Sequence, residues 1–400
     1  MKLPYFILSS FIVLMSALEG ARSEVFSLSV GTQSIGVRYQ FSEESALVES
    51  ANGIAALGSD TLKIALTPKY VKDYKMSRNR KIQSLVDLVN FKPDYLKVMD
   101  MPFRNIMLWV YPFSDSRSAF SEGAVDKRER SKIYREIYDF TALLLKRYSG
   151  SGKSFFLGNW EGDWHVLLEN YDYDLNPNPN GISGAIDWFL LREKAIADAI
   201  ENTPHHDVSV YFYVELNHVA KSMDAGKPTI VNSVLPFIKT DFVSWSSYDV
   251  TKQAVQLSEA EGKQRVWDAL DFIEAHLPES DIQGKRVFIG EYGYPLVEFE
   301  NPIQQSEYSA SLIKWALEWG CPFILYWELY CNEFDKQKKA HRGYWLIDDK
   351  NEKQPVWFLH KVILDKGNAF VDSYQKENGI LPTQKFYNEH IVSWMNGDKN

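Results

Sequence analysis

Carboxylates follow directly on two apolar runs of strand length in this chain. FFLGNWEGDW (155–164) passes from a buried-strand pattern into Glu161 and Asp163, set among Asn159, Trp160 and Trp164; VFIGEYGYP (287–295) does the same at Glu291. An acid at the end of a buried strand must be exposed, paired or put to use, because an unpaired carboxylate in apolar surroundings is costly. Two carboxyl groups facing each other can cut a glycosidic bond, one protonating the leaving oxygen and the other attacking the sugar carbon or activating water. Indole faces suit the apolar face of a sugar ring. Glu161 and Glu291 are therefore the catalytic candidates, with Asp163 either a turn acid or a rival proton donor.

Other strand ends add candidates for holding a substrate. VELNH carries Glu215 and Asn217 on one face, SWSSYD carries Trp245 and Tyr248, and YWELYCNE carries Trp327 and Glu328. Glu215 reads equally as a sugar ligand or as an ion-pair partner inside the fold. Trp164, Trp245 and Trp327 are stacking candidates whose plain alternative is core packing, and Glu328 reads as structural. For Tyr248 the functional reading is a hydrogen bond to Glu291, beside the plain one of an ordinary packed tyrosine. Asn159 would face the same way as Glu161 if strand alternation ran that far. The first three strands end in RYQ, TPK and YPF, with Arg38 and Lys69 as their charged groups. Arg38 could orient the Glu291 carboxylate or be an ordinary surface arginine.

The elements that must position these residues alternate. Apolar runs at 34–39, 62–66, 106–111, 154–157, 208–214, 242–245, 287–289 and 323–327 are separated by helical patterns. In the third of these helices Ile133, Ile137, Phe140, Leu144 and Tyr148 share one face before Gly150. Helical stretches are also expected near 46–57, 82–89, 186–200, 231–238, 266–277, 308–319 and 355–363. Asn-Pro-Asn-Pro-Asn-Gly (176–181) reads as a loop tip. Eight strand-plus-helix units with near-continuous apolar strands imply an α/β chain, a single (β/α)8 TIM barrel over 24–365. Residues 366–400 form a polar and aromatic extension with no role legible in the sequence. No GxGxxG follows the first strand, so the dinucleotide signal is missing.

Composition narrows the function further. The chain has 400 residues and a net charge of −9, which disfavours nucleic acid and anionic membrane surfaces as partners. Residues 1–23 read as a signal peptide: Lys2, an apolar run from Leu3 to Leu18, then Ala21-Arg22-Ser23 as a small-x-small cleavage site. Cleavage would make the protein secreted or periplasmic, with no stable membrane insertion afterwards. Cys321 and Cys331 are too few for a disulfide framework. The scattered histidines form no metal-ligand pattern, and no cofactor is implied. Oligomeric state is not legible.

GEYGYP (290–295) and YWELYCNE (326–333), with Glu161 after the fourth strand and Glu291 after the seventh, resemble the large clan of retaining (β/α)8 glycoside hydrolases that includes the family-five cellulases and mannanases. The resemblance covers the barrel in layout and short motifs in residues. It implies Glu161 as acid/base, Glu291 as nucleophile, a carbohydrate substrate with β linkages, and a Tyr and a Trp lining the site. The clan places Asn directly before its acid/base Glu, whereas Trp160 intervenes here. Two rival readings stand beside it: a catalytically silent carbohydrate-binding barrel, and a barrel enzyme of other chemistry such as a lyase or metal-dependent hydrolase.

Overall fold

In a computed structural model the protein is described over residues 24–115, 125–167, 170–299 and 301–398; the expected leader lies outside these. Eight strands run in chain order: β1 (Ser29–Thr32), β2 (Thr61–Leu66), β3 (Asn105–Val110), β4 (Lys153–Gly158), β5 (Val208–Leu216), β6 (Phe242–Ser246), β7 (Val287–Tyr292) and β8 (Phe323–Tyr326). From β2 to β8 each strand pairs in parallel with the next, β1 pairs with β8, and a single Gln33–Lys63 bridge, one residue past β1, links it to β2. Helices fill every crossover, so this is a (β/α)8 barrel.

The barrel is packed, not hollow. Phe156 of β4 meets Phe242 of β6 and Phe323 of β8 at ring separations of 5.4 and 5.3 Å, a layer that reaches across the interior. Above it, small residues make room for polar side chains. A Cβ on Gly158 would lie 2.4 Å from the Tyr213 ring, and one on Gly290 would lie 1.7 Å from Ser244 Oγ. Register shifts against both neighbours, between Ile289 and Glu291 opposite β6 and between Ile289 and Tyr292 opposite β8, mark a bulge in β7. A bulge re-aims the side chain that follows it, and here that side chain is Glu291.

Three elements depart from the sequence reading. The first strand is Ser29–Thr32, upstream of the apolar run at 34–39, which instead forms the loop above it. The helix expected at 231–238 breaks into Ile230–Ser233 and a 3-10 turn Leu235–Phe237, where Pro236 cannot donate to a helical ladder. The second half of the Asn-Pro repeat is a helix start: Asn178 accepts from the Gly181 N–H at 2.7 Å, with Pro179 opening the helix Pro179–Asn202.

The last barrel helix runs over Pro355–Asn378, past residue 365, and Gln384–Met395 forms one more. That final helix packs at the lower ends of β1 and β8 and against the two helices before it. Tyr387 donates to the Leu28 carbonyl, Gln384 to Ser29 Oγ, and Asn388 to the Cys321 carbonyl. No helix among the described residues is long and apolar enough to cross a membrane.

Candidate active site

At the C-terminal ends of the strands three carboxyl groups surround one lysine. Lys63 sits in the middle of β2, fully buried, and its Nζ reaches Glu215 Oε2 at 2.6 Å, the Gly290 carbonyl at 3.1 Å and Glu291 Oε1 at 3.8 Å. Its cation also lies 4.9 Å from the centre of the Trp109 ring. Glu215 has no exposed surface: Ser244 donates to its Oε2 at 2.7 Å, and the Glu161 N–H reaches its Oε1 at 3.3 Å. Glu215 therefore links β2, β5, β6 and the β4 loop instead of facing a substrate.

Glu161 and Glu291 converge from β4 and β7 on one hydroxyl. Ser246 Oγ lies 2.5 Å from Glu161 Oε1 and 3.4 Å from Glu291 Oε2. Tyr248 also donates to Glu291 Oε2, at 3.4 Å, and Trp164 Nε1 donates to Glu161 Oε2 at 2.7 Å. Burial pushes the Glu161 carboxyl up to about 7; the Glu215 carboxylate adds to the rise, while the Ser246 and Trp164 hydrogen bonds oppose it. Glu291 is likewise raised, by burial first and then by Glu215 and Glu161, with Lys63 pulling the other way. Burial holds the Tyr248 hydroxyl protonated, so it remains a donor.

The residue inserted between Asn159 and Glu161 is absorbed at a turn. β4 ends at Gly158, and Glu161 takes φ 20° immediately before the short helix Gly162–Val166. Strand alternation therefore does not extend to 161. Trp160 is held by its N–H, which donates to Tyr111 OH at 2.9 Å, and its ring packs 6.4 Å from Trp109. Trp109 in turn lies 6.0 Å from Trp327, at the top of β8.

Solved structures of glycoside hydrolases share this architecture. A family 5 subfamily 18 glycoside hydrolase from Streptomyces cattleya, solved with GlcNAc, superposes with a TM-score of 0.55 at 12% identity, over 95% of this chain and 92% of that one. An exo-β-1,4-mannosidase from an Opitutaceae bacterium also reaches 0.55, at 12% identity over 86% of this chain and 61% of the other. A family 39 glycoside hydrolase from Bacteroides cellulosilyticus gives 0.51 at 13% identity over 85% of this chain, which spans 64% of that enzyme's length. The chain shares its (β/α)8 barrel fold with these glycoside hydrolases. No family model and no curated protein matches the sequence.

Within that fold the candidate residues divide. Glu161, Glu291, Tyr248 and Trp164 are brought together, and Trp327 borders them through Trp109. Trp245 is not part of the cluster: Ser244 and Ser246 face inward, so it points outward and is 0% exposed. Arg38 does not face Glu291 either. Its side chain is exposed above the misplaced first strand and donates to the Asn332 carbonyl, and the cation beside Glu291 is Lys63. Asn159 is spent on the backbone of β5, accepting from the Glu215 N–H at 3.1 Å and donating to its carbonyl at 3.0 Å. Asn217, its amide turned so that the NH2 meets Asp163 at 3.3 Å, accepts from Trp164 Nε1 at 2.8 Å and braces that indole. Glu215, Asn159 and Asn217 thus support the site from behind and do not present themselves to a ligand.

Asp163, the rival acid, is a strut. Its Oδ2 accepts from the N–H groups of Asn217 (2.9 Å) and His218 (3.1 Å), and its Oδ1 from that of Ile230 at 2.8 Å. Glu328 is structural too, accepting from the Ile35 and Asn332 N–H groups at 3.0 and 2.9 Å. The sequence reading missed Lys63 and Ser246. A single charge inside the apolar run LKIAL was the available signal for Lys63, since a lysine there has to find an internal partner.

Proposed function

We propose that the protein is a glycoside hydrolase that cleaves β-linked polysaccharide or oligosaccharide by a two-step, retaining mechanism. The observation that carries this is the convergence of Glu161 and Glu291 on Ser246 Oγ. Two oxygens held by one hydroxyl at those distances are no more than about 6 Å apart, which favours the roughly 5–5.5 Å of covalent glycosidases over the wider gap that leaves room for a water. Charge balance supports the division of roles. Lys63 is paired with Glu215, so Glu161 and Glu291 compete for the remaining stabilisation, and two adjacent buried carboxylates do not both ionise readily. Burial raises both carboxyls; Glu161, held near 7, suits the proton donor, while the Lys63 cation and the Tyr248 hydroxyl beside Glu291 favour its anion as the nucleophile.

In the first step Glu291 attacks the anomeric carbon while Glu161 gives its proton to the departing oxygen. In the second, Glu161, now a carboxylate, takes a proton from water as that water displaces Glu291 from the sugar. Trp327, Trp164 and Trp160 supply flat faces for the substrate. Export follows on this reading from the leader at 1–23. A silent carbohydrate-binding barrel is less well supported, because sugar binding alone gives no reason to bury two acids beside each other.

Leaving-group chemistry tests the assignment. Glu161→Ala should lose nearly all activity on natural glycans yet still be glycosylated by an activated aryl β-glycoside, then stall for want of a base. Azide, which needs no base, should restart turnover and yield a β-glycosyl azide. An α-linked azide, or no rescue alongside unimpaired glycan hydrolysis, would overturn the mechanism.

A further inference from the structure

The loop that follows β2 carries a concentration of positive charge that the proposed chemistry does not use. Between residues 69 and 81 stand Lys69, Lys72, Lys75, Arg78, Arg80 and Lys81 against one acid, Asp73, in a protein whose net charge is −9. All six cations are exposed, while Tyr70, Tyr74, Met76 and Ile82 between and beside them are buried. The segment is therefore anchored, its charges held outward by its own apolar residues. Tyr74 OH accepts from the Ala65 N–H at 2.8 Å and Tyr70 OH from that of Asn79 at 2.9 Å, tying both ends of the loop to its base.

The partners of these charges are as informative as their number. Surface cations elsewhere are commonly neutralised, as in Lys97–Glu44, Arg147–Asp100, Arg265–Asp224 and Lys314–Glu259. None of the six makes an ion pair with a described carboxylate. Asp73 is turned to Thr67, whose hydroxyl donates to its Oδ2 at 3.0 Å. The loop leaves the same end of β2 toward which Lys63 reaches Glu291, and it packs on the loop above β1. There the Gly36 and Val37 N–H groups donate to the Asp73 carbonyl, and Lys75 Nζ donates to the Arg38 carbonyl at 2.9 Å. Arg38, exposed beside it, extends the positive surface along the rim on the catalytic face.

We propose that this rim binds an anionic glycan, a chain bearing carboxylate or sulfate groups, and that the substrate of the barrel is acidic. This rests on the glycoside hydrolase reading for its second half alone. A net-acidic protein repels a polyanion over most of its surface, so a local, unneutralised cationic strip is what such a ligand needs in order to dock. The strip stands at the same end of the barrel as Glu161 and Glu291, in the loop after β2, which favours a sugar chain over other polyanions.

The test separates binding from turnover. The full protein and its Arg78→Gln/Arg80→Gln/Lys81→Gln variant are titrated with an oligouronate and with a neutral β-glucan oligosaccharide of equal length, at low and at high salt. Melting temperatures matched to the parent establish that the variant is folded. Expected is tighter binding of the oligouronate, weakened by salt because exposed charges are screened, and about tenfold weaker in the variant. Equal affinity of parent and variant, a preference for the neutral chain, or tighter retention by duplex DNA or anionic vesicles than by the oligouronate would each overturn the proposal. Oligouronate binding without hydrolysis of any glycan would leave this inference standing and remove the enzymatic one; hydrolysis of neutral glycans with no oligouronate binding would do the reverse.

Discussion

Lys63 decides the charge balance of the site, and its worth is measurable. It is fully buried against Glu215 and Glu291, so removing it leaves a buried acid without a counter-ion. Lys63→Met should destabilise the fold by about 3–5 kcal/mol, the usual cost of breaking a buried pair from one side. The double variant Lys63→Met/Glu215→Leu should recover much of that in denaturant unfolding, because no unpaired charge remains between them. Strict additivity of the two single changes would show that the pair does not interact. The same balance fixes a pH dependence. Glu161 must be protonated to act as an acid, and its carboxyl is held up at about 7 by burial. The value of kcat/KM should therefore fall as pH rises through about 7. Glu161→Ala, assayed on an activated aryl glycoside, should lose that alkaline limb. An unchanged limb in the variant would assign it to another group.

Elements place these residues, and here the sequence was legible in uneven measure. Seven of the eight strands lie where long apolar runs put them, because a strand buried on both faces has little freedom to be anything else. The first strand was misread for a physical reason. Ser-Val-Gly-Thr looks like a turn, yet inside a barrel small residues are needed: a Cβ on Gly31 would lie 2.9 Å from Leu325. That error carried Arg38 into the site on paper and away from it in the fold. Trp245 differs for a related reason, since only the alternation of Ser244 and Ser246 tells which face of β6 is inward. Asp163 shows what an element-level role predicts. It ties the β4 loop to the end of β5 and to the helix at Ile230 through three backbone N–H groups. Asp163→Ala should therefore lower stability by about 3 kcal/mol or more, as several donors to a charged acceptor are orphaned together. Azide should not rescue the variant's residual activity. A stable Asp163→Ala that shows azide rescue would exchange its role with that of Glu161.

At the scale of the whole molecule the question is what the C-terminal residues are for, since no motif in them suggests an answer. The helix Gln384–Met395 packs below the seam between β1 and β8, with Tyr387 and Ile391 buried at 0% and 1% exposure. It also supplies partners to the main chain of other elements: Tyr387 to the Leu28 carbonyl, Asn388 to the Cys321 carbonyl, and the Gln384 side chain to the Ser27 N–H. These contacts join the start of β1 to the start of β8, the strands whose pairing closes the cylinder. Burial of the two apolar side chains alone contributes about 3–6 kcal/mol, a large part of the roughly 5–15 kcal/mol that holds a typical domain folded. Truncation after Gly379 should accordingly give a chain that melts far below the full-length protein or fails to fold, although every proposed catalytic residue is present. Tyr387→Phe is the milder companion, keeping the packing and losing one hydrogen bond, for about 1 kcal/mol. Scanning calorimetry of the three proteins orders them, and a truncated chain melting within a degree or two of the full-length one would make the helix an appendage instead of a clamp on the β1–β8 seam.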